Sequence, residues 1–157
     1  GLINFHWSDQ QEEIDKIWSA RHSALYAALS LAPGKKGFTT DICVPISSLT
    51  ECILDTKKDL ESSNIMAPIV GHVGDGNFHL ILLVDPENKD EVNEAKEIND
   101  RLIKRALKMG GTCTGEHGIG LGKKEHLRLE KGISVDVMSQ IKKALDPKNI
   151  MNPGKIF

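Results

Sequence analysis

The stretch GHVGDGNFH, residues 71–79, decides the fold of this 157-residue chain. It contains an Asp-Gly pair, and β-forming residues flank that pair on both sides, at 67–73 and at 78–84. Asp-Gly between two such runs is a strong hairpin signal, because the glycine accepts the positive φ that a tight turn needs. The sequence therefore predicts an antiparallel ribbon whose turn lies inside this stretch.

Two histidines stand on either side of the predicted turn. If the turn centres on Asp75 and Gly76, antiparallel pairing sets His72 directly opposite His79, with both imidazoles on one face of the ribbon. Directly paired Cβ atoms lie about 4.5–5.5 Å apart, so the two rings can reach one metal ion. The alternative is that the histidines are independent surface or capping residues. The spacing alone leaves both interpretations open.

The segments around the hairpin complete a known order of elements. They are, in sequence, a β-rich run at 38–44, a capping-box helix from Ser47 or Ser48, the hairpin, a long helix between Pro86 and Gly110, and a short strand at 112–115. The order strand, helix, strand, strand, helix, strand is the ferredoxin-like split βαβ order. The predicted fold class is therefore α+β, with an antiparallel sheet, its helices on one face and the other face free.

Further helices flank this core at both ends. Residues 9–31 predict an N-terminal helix, and 123–131 and 134–145 predict two additional C-terminal helices. We therefore interpret residues 1–157 as a single domain. Its parts are an N-terminal helical segment (1–36), the split βαβ core (37–116), and the C-terminal helices with an irregular tail (117–157).

Composition and charge exclude several classes of protein. The chain has 20 Lys and Arg against 22 Asp and Glu, which gives a formal charge of −2 and no basic surface for nucleic acid. Its three cysteines lack CxxC spacing, so we expect small buried residues and no disulfide framework. No apolar run approaches the roughly 18 residues that span a bilayer. Because a chain of this length can bury a core unaided, a metal site here would serve chemistry.

A second short motif offers a third metal ligand. Glu116 and His117 are flanked by Gly115 and Gly118, and glycine permits the close backbone approach that would aim both side chains at one point. Two imidazoles and the Glu116 carboxylate leave at least one coordination position open, which is the pattern of a catalytic site. His117 would then be free to move a proton.

Arg21 lies on the apolar stripe of the N-terminal helix, where an unpaired charge is costly to bury. Its guanidinium either pairs with a protein carboxylate or reaches solvent, or it holds a carboxylate-bearing ligand through two hydrogen bonds. The glycine-rich run at 118–123 matches neither GxGxxG nor GxxxxGKS/T, so we do not interpret it as a phosphate loop. His6, His22 and His126 stand in polar or amphipathic contexts and receive no role.

Three motifs together resemble a known family. They are GHVGDGNFH at 71–79, GTCTGEHGIGLGK at 111–123 and LDPKNIMNPGKIF at 145–157. From about Trp18 to its end, the chain is similar to the C-terminal cap part of the FAD-linked oxidases of the vanillyl-alcohol oxidase superfamily. Within that superfamily it resembles the D-2-hydroxyacid dehydrogenases, and most of all the mitochondrial D-lactate dehydrogenases that use cytochrome.

The resemblance implies a reaction and a role for each candidate residue. The reaction is the oxidation of a D-2-hydroxy acid to the 2-oxo acid, with FAD as the hydride acceptor and a divalent metal, zinc or manganese, beside the flavin. The implied residues are His72, His79 and Glu116 as metal ligands, His117 as acceptor of the hydroxyl proton, Arg21 as partner of the substrate carboxylate, and Asn152 in the tail segment near the flavin.

The resemblance also bears on the substrate. Similar D-2-hydroxyglutarate dehydrogenases grip a second carboxylate with a lysine, a threonine and an asparagine, where this sequence has Thr39, Leu25 and Ile81. None of these neutralises a distal carboxylate, which favours D-lactate. Glycolate or D-2-hydroxyglutarate as substrate remains an alternative. So does a non-catalytic α+β module that binds a metal or a partner.

Such enzymes bind FAD mainly through an N-terminal domain that this chain does not contain. We therefore expect the chain to be an inactive cap by itself, to act in mitochondria, and to pass electrons to cytochrome c or another carrier within the whole enzyme. The free face of the sheet predicts self-association of the isolated chain, because an exposed apolar surface favours contact between copies.

Overall fold

The computed structural model describes residues 6–157, so the first five residues of the predicted 1–36 segment lie outside the described part. Two helices, α1 (Gln11–His22) and α2 (Ala24–Ser30), replace the single helix predicted over 9–31. The turn residue Ser23 separates them. The two helices have different positions: α1 carries Arg21, while α2 packs on the sheet.

The sheet is built around its longest strand. The strands are β1 (Lys36–Thr39), β2 (Ile42–Cys43), β3 (Ile69–His72) and β4 (Asn77–Val84). All pairing is antiparallel: β1 and β2 follow one edge of β4 in a single register, and β3 follows the other edge. A bridge between Cys43 and Thr112 adds the start of the predicted last strand. The order agrees with the split βαβ arrangement and confirms the predicted α+β fold.

The strand predicted over 38–44 is interrupted at Thr40 and Asp41. The Thr40 N–H still donates to the Leu80 carbonyl (3.0 Å), but the Leu80 N–H donates to the Thr40 hydroxyl (2.8 Å) instead of its carbonyl. Because the hydroxyl replaces one acceptor of the ladder, the Thr40 carbonyl is released for a side chain. The register across the interruption is unchanged, so the break alters hydrogen bonding without shifting the sheet.

The predicted register of the hairpin is wrong by two residues. His72 pairs with Asn77, and Val70 pairs with His79. The loop holds four residues, because a turn of 3-10 helix (Val73–Asp75) precedes Gly76, whose φ is +75°. Since the shift is even, it preserves the face of every side chain, and His72 and His79 still lie on the same side of the ribbon.

Helices cover both faces of the sheet. On one face, α3 (Ile46–Leu60) and α4 (Lys89–Lys108) enclose the main core with the side chains of Phe78, Leu80 and Leu82. On the other face, Ala28 and Leu29 of α2 pack in one cluster with Ile81 and Leu83. The apolar sheet face that was expected to be free is therefore covered, because the N-terminal helix folds back onto it.

Two further helices, α5 (Lys124–Lys131) and α6 (Ser134–Leu145), confirm the predicted C-terminal pair. The apolar side chains that stay exposed on α6 include Val137, Ile141 and Leu145. These side chains form part of the apolar surface that is exposed at this end of the protein. Within residues 6–157, every helix is too short or too polar to cross a membrane.

Glu130 joins α5 to the start of the Thr112 segment. Its carboxylate accepts hydrogen bonds from the Thr112 hydroxyl (3.0 Å) and the Cys113 backbone N–H (2.8 Å). Burial alone would raise the pKa of this carboxyl, but these hydrogen bonds and the contact with Lys131 bring the pKa down to about 2. The ionised form therefore stabilises the fold.

We expect Glu130→Gln to lower the free energy of unfolding by about 2 kcal/mol at pH 7. Because the pKa of Glu130 is lower in the folded than in the unfolded chain, its contribution is complete above about pH 4.5 and declines as the pH falls toward 2. Urea unfolding of both proteins at pH 7, 5 and 3.5 measures this. A difference that stays constant down to pH 3.5 would contradict the assignment.

Candidate active site

The site lies on the sheet face that carries His79, where α1 and the Glu116 loop meet β4. The His79 side chain is 3% exposed, and its Nδ1 lies 2.8 Å from the Thr40 carbonyl. A carbonyl oxygen only accepts, so the Nδ1–H donates and the ring presents Nε2 to the site. A hydrogen bond from the other ring nitrogen to a carbonyl typically orients a metal-binding histidine in this way.

One oxygen of Glu116 is the centre of the cluster. Its Oε1 lies 3.0 Å from Nε2 of His79 and 3.6 Å from Nε2 of both His72 and His117. Ligand atoms of His79, Glu116 and His117 all lie within 4.8 Å of one another. The structure thus brings together the four residues that the two motifs contributed, although they come from separate segments of the chain.

The rings differ in how they approach this centre. His117 stacks on His79, with ring centroids 5.1 Å apart and planes tilted by 27°. His72 approaches edge-on, at 6.5 Å and 88°, as its diagonal position across the ribbon requires. His72 and His117 are at equal distance from the Glu116 oxygen, but the group of ligand atoms that lie within 4.8 Å of one another includes His117 and not the predicted ligand His72.

The contact between His79 and Glu116 has a chemical consequence. With its only proton on Nδ1, neutral His79 directs the lone pair of Nε2 at a carboxylate oxygen 3.0 Å away. Two lone pairs at that distance repel unless a proton or a cation lies between them. The donor set, two to three imidazole nitrogens and one carboxylate, suits zinc, manganese or iron.

Asp41 holds the loop that carries Glu116 and His117. Its buried carboxylate accepts from the Thr114 hydroxyl (2.7 Å) and from the backbone N–H groups of Gly115 (2.9 Å) and His117 (3.0 Å). Burial would raise the pKa of Asp41, but these hydrogen bonds lower it far below its ordinary range. Asp41 is thus ionised while 1% exposed.

Sequence reasoning missed Asp41. The signal for it was the polar Thr-Asp pair inside the otherwise β-forming run 38–44, because an acid in a buried strand needs several hydrogen-bond donors. Those donors come from a loop more than 70 residues away, which the run itself does not reveal.

Lys123 neutralises this buried acid. Its Nζ donates to the Asp41 carbonyl (2.7 Å) and lies 3.5 Å from a carboxylate oxygen of the same residue. Burial lowers the pKa of Lys123, and the charge of Asp41 opposes that change. Because its ammonium is directed inward, Lys123 does not act as the lysine of a phosphate loop.

Arg21 lies at the edge of the cluster, and its guanidinium forms no ion pair with a carboxylate of residues 6–157. Its Nη2 is 3.4 Å from Nε2 of His72, and its Nε is buried without a hydrogen bond. A cavity of about 230 Å³ opens beside it. The residues that line this cavity are Arg21, Leu25, Thr39, Val70, His79, Ile81, Glu116 and His117.

The remaining sequence candidates lie outside the cavity. Asn152 is exposed, with a φ of +49°, in a tail that is joined to the glycine-rich loop by a hydrogen bond from the Ile156 N–H to Gly120. His126 contacts Asp100 at 3.0 Å, away from the cluster. Of the cysteines, Cys52 and Cys113 are buried and Cys43 is partly exposed; all three are free thiols.

Residues 1–156 match the family described as FAD linked oxidases, C-terminal domain. The chain therefore belongs to this family, as the three sequence motifs indicated.

Among known proteins, the chain is 53% identical over 158 residues to "Probable D-lactate dehydrogenase, mitochondrial" of Danio rerio, a match that covers 100% of this chain and 32% of the relative. It is 43% identical over 155 residues to "D-lactate dehydrogenase (cytochrome), mitochondrial" of Arabidopsis thaliana, covering 98% and 27%. It is 44% identical over 159 residues to "D-lactate dehydrogenase (cytochrome) 1, mitochondrial" of Saccharomyces cerevisiae, also covering 98% and 27%. The chain spans less than a third of the length of these relatives.

Proposed function

We propose that this chain forms the substrate and metal site of a flavin-dependent dehydrogenase that oxidises D-lactate to pyruvate. The observation that carries the proposal is the Glu116 oxygen surrounded by three imidazole nitrogens, beside an arginine that has no carboxylate partner. The family supports FAD as the cofactor, and we propose that a part of the enzyme outside this chain holds most of it. Bound FAD would accept the hydride from Cα of the substrate.

The metal site is part of the same proposal. His72, His79 and Glu116 would hold a zinc or manganese ion, because they offer two imidazole nitrogens and a carboxylate oxygen that such ions accept as ligands. Such an ion would bind the 2-hydroxyl of the substrate and lower its pKa. The Glu116 side chain is 46% exposed, so the site is open to one side, as a catalytic metal site requires and a structural one does not.

His117 would act as the base. It stacks on His79 and keeps about half of its side chain exposed to the cavity and solvent, so it can accept the hydroxyl proton and pass it to water. The products balance: the hydride leaves Cα, the proton leaves the hydroxyl, and the 2-oxo acid remains. Arg21 would hold the substrate carboxylate, so that a small substrate is fixed at two points.

Arg21→Ala should raise KM for D-lactate about 10- to 100-fold while changing kcat much less. The reason is that a hydrogen-bonded pair of charged groups contributes about 1.5–3 kcal/mol, and this pair is present in ground state and transition state alike. Steady-state kinetics of a flavoprotein that carries this chain measure the two constants. Arg21→Lys is the matched control, since it keeps the charge but loses the two-pronged contact. An unchanged KM for Arg21→Ala would contradict the role.

The walls of the cavity support a monocarboxylate substrate. Leu25 and Ile81 are apolar, and Thr39, which pairs with Ile81 across the sheet, carries no charge. A second carboxylate placed there would lose its hydration without gaining a cation. The names of the three relatives agree with D-lactate, with a mitochondrial location and, in two of them, with cytochrome as the acceptor.

The test of the function is a comparison of three substrates. We expect the flavoprotein that carries this chain to oxidise D-lactate with a kcat/KM at least about 100-fold above that for D-2-hydroxyglutarate, with glycolate as the third substrate. Elemental analysis of the same preparation identifies the metal. Preference for D-2-hydroxyglutarate would overturn the substrate assignment, and absence of any 2-hydroxy acid oxidation would overturn the function.

A further inference from the structure

Asp41 accepts hydrogen bonds from several consecutive residues of the Glu116 loop. Three successive backbone N–H groups, of residues 115, 116 and 117, converge on its carboxylate at 2.9–3.3 Å. The Thr114 hydroxyl and the Asn77 amide add donors at 2.7 and 2.9 Å. Because the backbone of the loop is bound at each of these residues, the directions in which Glu116 and His117 leave it are set by Asp41.

The residue before Asp41 orients the opposite side of the cluster. The Thr40 carbonyl holds Nδ1 of His79 at 2.8 Å, and His79 faces Glu116 with its other nitrogen. Adjacent residues at the strand interruption therefore hold the two groups that meet at 3.0 Å. The distance between His79 and Glu116 thus depends on the backbone of Thr40 and Asp41. The position of this backbone is set by the strands on either side of it, which both pair with β4.

We propose that Asp41 is a positioning residue that fixes Glu116 and His117 against His79 and so pre-forms the cation site. This inference rests on the proposed function, in which His79 and Glu116 hold a divalent metal. Asp41 does not itself bind the ion; it acts through the loop. Metal ligands that are held by such outer contacts typically lose 10- to 100-fold in metal affinity when the contact is removed.

The matched control is Glu130. Its carboxylate also accepts hydrogen bonds from the segment that leads into the Glu116 loop, but it does not face the site. Like Asp41, Glu130 is a largely buried carboxylate that accepts from a threonine hydroxyl and from backbone N–H, in its case those of Thr112 and Cys113. If Asp41 were only a buried structural acid, both substitutions would have similar consequences. If Asp41 positions the site, only its substitution should change metal binding.

The experiment compares Asp41→Asn with Glu130→Gln in the 157-residue chain. Every polar group that contacts the two Asp41 oxygens is a donor, so an asparagine NH₂ would face N–H groups and the loop would be released. Zn²⁺ affinity is measured by calorimetry, and protection of the amides of residues 115–117 is measured by hydrogen exchange. We expect Asp41→Asn to weaken Zn²⁺ binding 10- to 100-fold and to lose amide protection at least tenfold, and Glu130→Gln to change Zn²⁺ affinity less than twofold.

A milder pair of variants covers the case in which Asp41→Asn does not fold. Thr114→Val removes one donor to Asp41, and Thr112→Val removes one donor to Glu130, with nearly the same change in shape. We expect only Thr114→Val to weaken Zn²⁺ binding, by a few-fold, and to raise the exchange rates of residues 115–117. Equal effects of the two threonine variants on both readouts would overturn the proposal.

The two readouts separate this inference from the proposed function. If the unsubstituted chain binds no Zn²⁺ or Mn²⁺, the metal part of the proposed function fails, while the exchange rates still decide whether Asp41 orders the loop. If the unsubstituted chain binds the metal and Asp41→Asn keeps both its affinity and its amide protection, the positioning role fails and the proposed function stands.

Discussion

Replacing His117 by alanine should lower kcat for D-lactate about 10²- to 10⁴-fold, the usual contribution of a general base. In the proposed function His117 takes the hydroxyl proton, so its loss would leave only water for that step. KM should change little, because Arg21 and the metal would still bind the substrate. Steady-state kinetics of the flavoprotein that carries this chain, with a dye as electron acceptor, measure both constants.

His126→Ala is the matched control for this experiment. His126 is also a histidine of the C-terminal part, but it contacts Asp100 and lies outside the cavity, so its removal should leave kcat unchanged. A second control is the metal content of the His117 variant. Full turnover by His117→Ala would refute its role as base, whereas loss of the metal from this variant would show that His117 is a ligand in place of His72.

Replacing Gly115 by alanine should lower the free energy of unfolding by roughly 3 kcal/mol or more and also abolish metal binding. A Cβ on Gly115 would overlap the side-chain nitrogen of Asn77 and come within 2.9 Å of an Asp41 oxygen. Both neighbours are buried and hydrogen-bonded to each other, so neither can move freely. Urea unfolding and Zn²⁺ calorimetry of the 157-residue chain measure the two effects.

Gly122→Ala provides the control for the glycine substitution. A Cβ at Gly122 has no atom within 4 Å, and its φ is not in the left-handed region, so the substitution should be neutral or slightly stabilising. If Gly115→Ala had the same free energy of unfolding as the unsubstituted chain, the loop would be able to move away from Asn77 at little cost. The close packing of the loop on Asp41 would then not be needed for the fold.

The four residues of the cluster were predictable because each belongs to a short motif with its own local signal. Two histidines around an Asp-Gly turn must come close in a ribbon, and an acid between glycines can approach another segment. The hairpin register was not predictable to the residue, because the choice between the turn at Asp75-Gly76 and the four-residue loop depends on contacts outside the hairpin. One of these is the hydrogen bond from the Val44 N–H to the Gly76 carbonyl.

The sequence pattern also could not predict that a helix covers the second face of the sheet. Residues 9–31 have helical periodicity throughout, and that pattern does not show that the helix breaks at Ser23 and that α2 lies on Ile81 and Leu83. The break shapes the candidate site, because α2 and the end of α1 form one wall of the cavity through Arg21 and Leu25.

The amino-acid sequence by itself determined the order of the elements and the shared face of His72 and His79. These follow from local rules: strand period, turn chemistry and motif spacing act within a few residues. Only the tertiary structure decided that Asp41 holds the Glu116 loop and that Arg21 reaches His72. Such contacts join segments about 50 to 75 residues apart, and their geometry is set by packing of the whole chain, which no local pattern encodes.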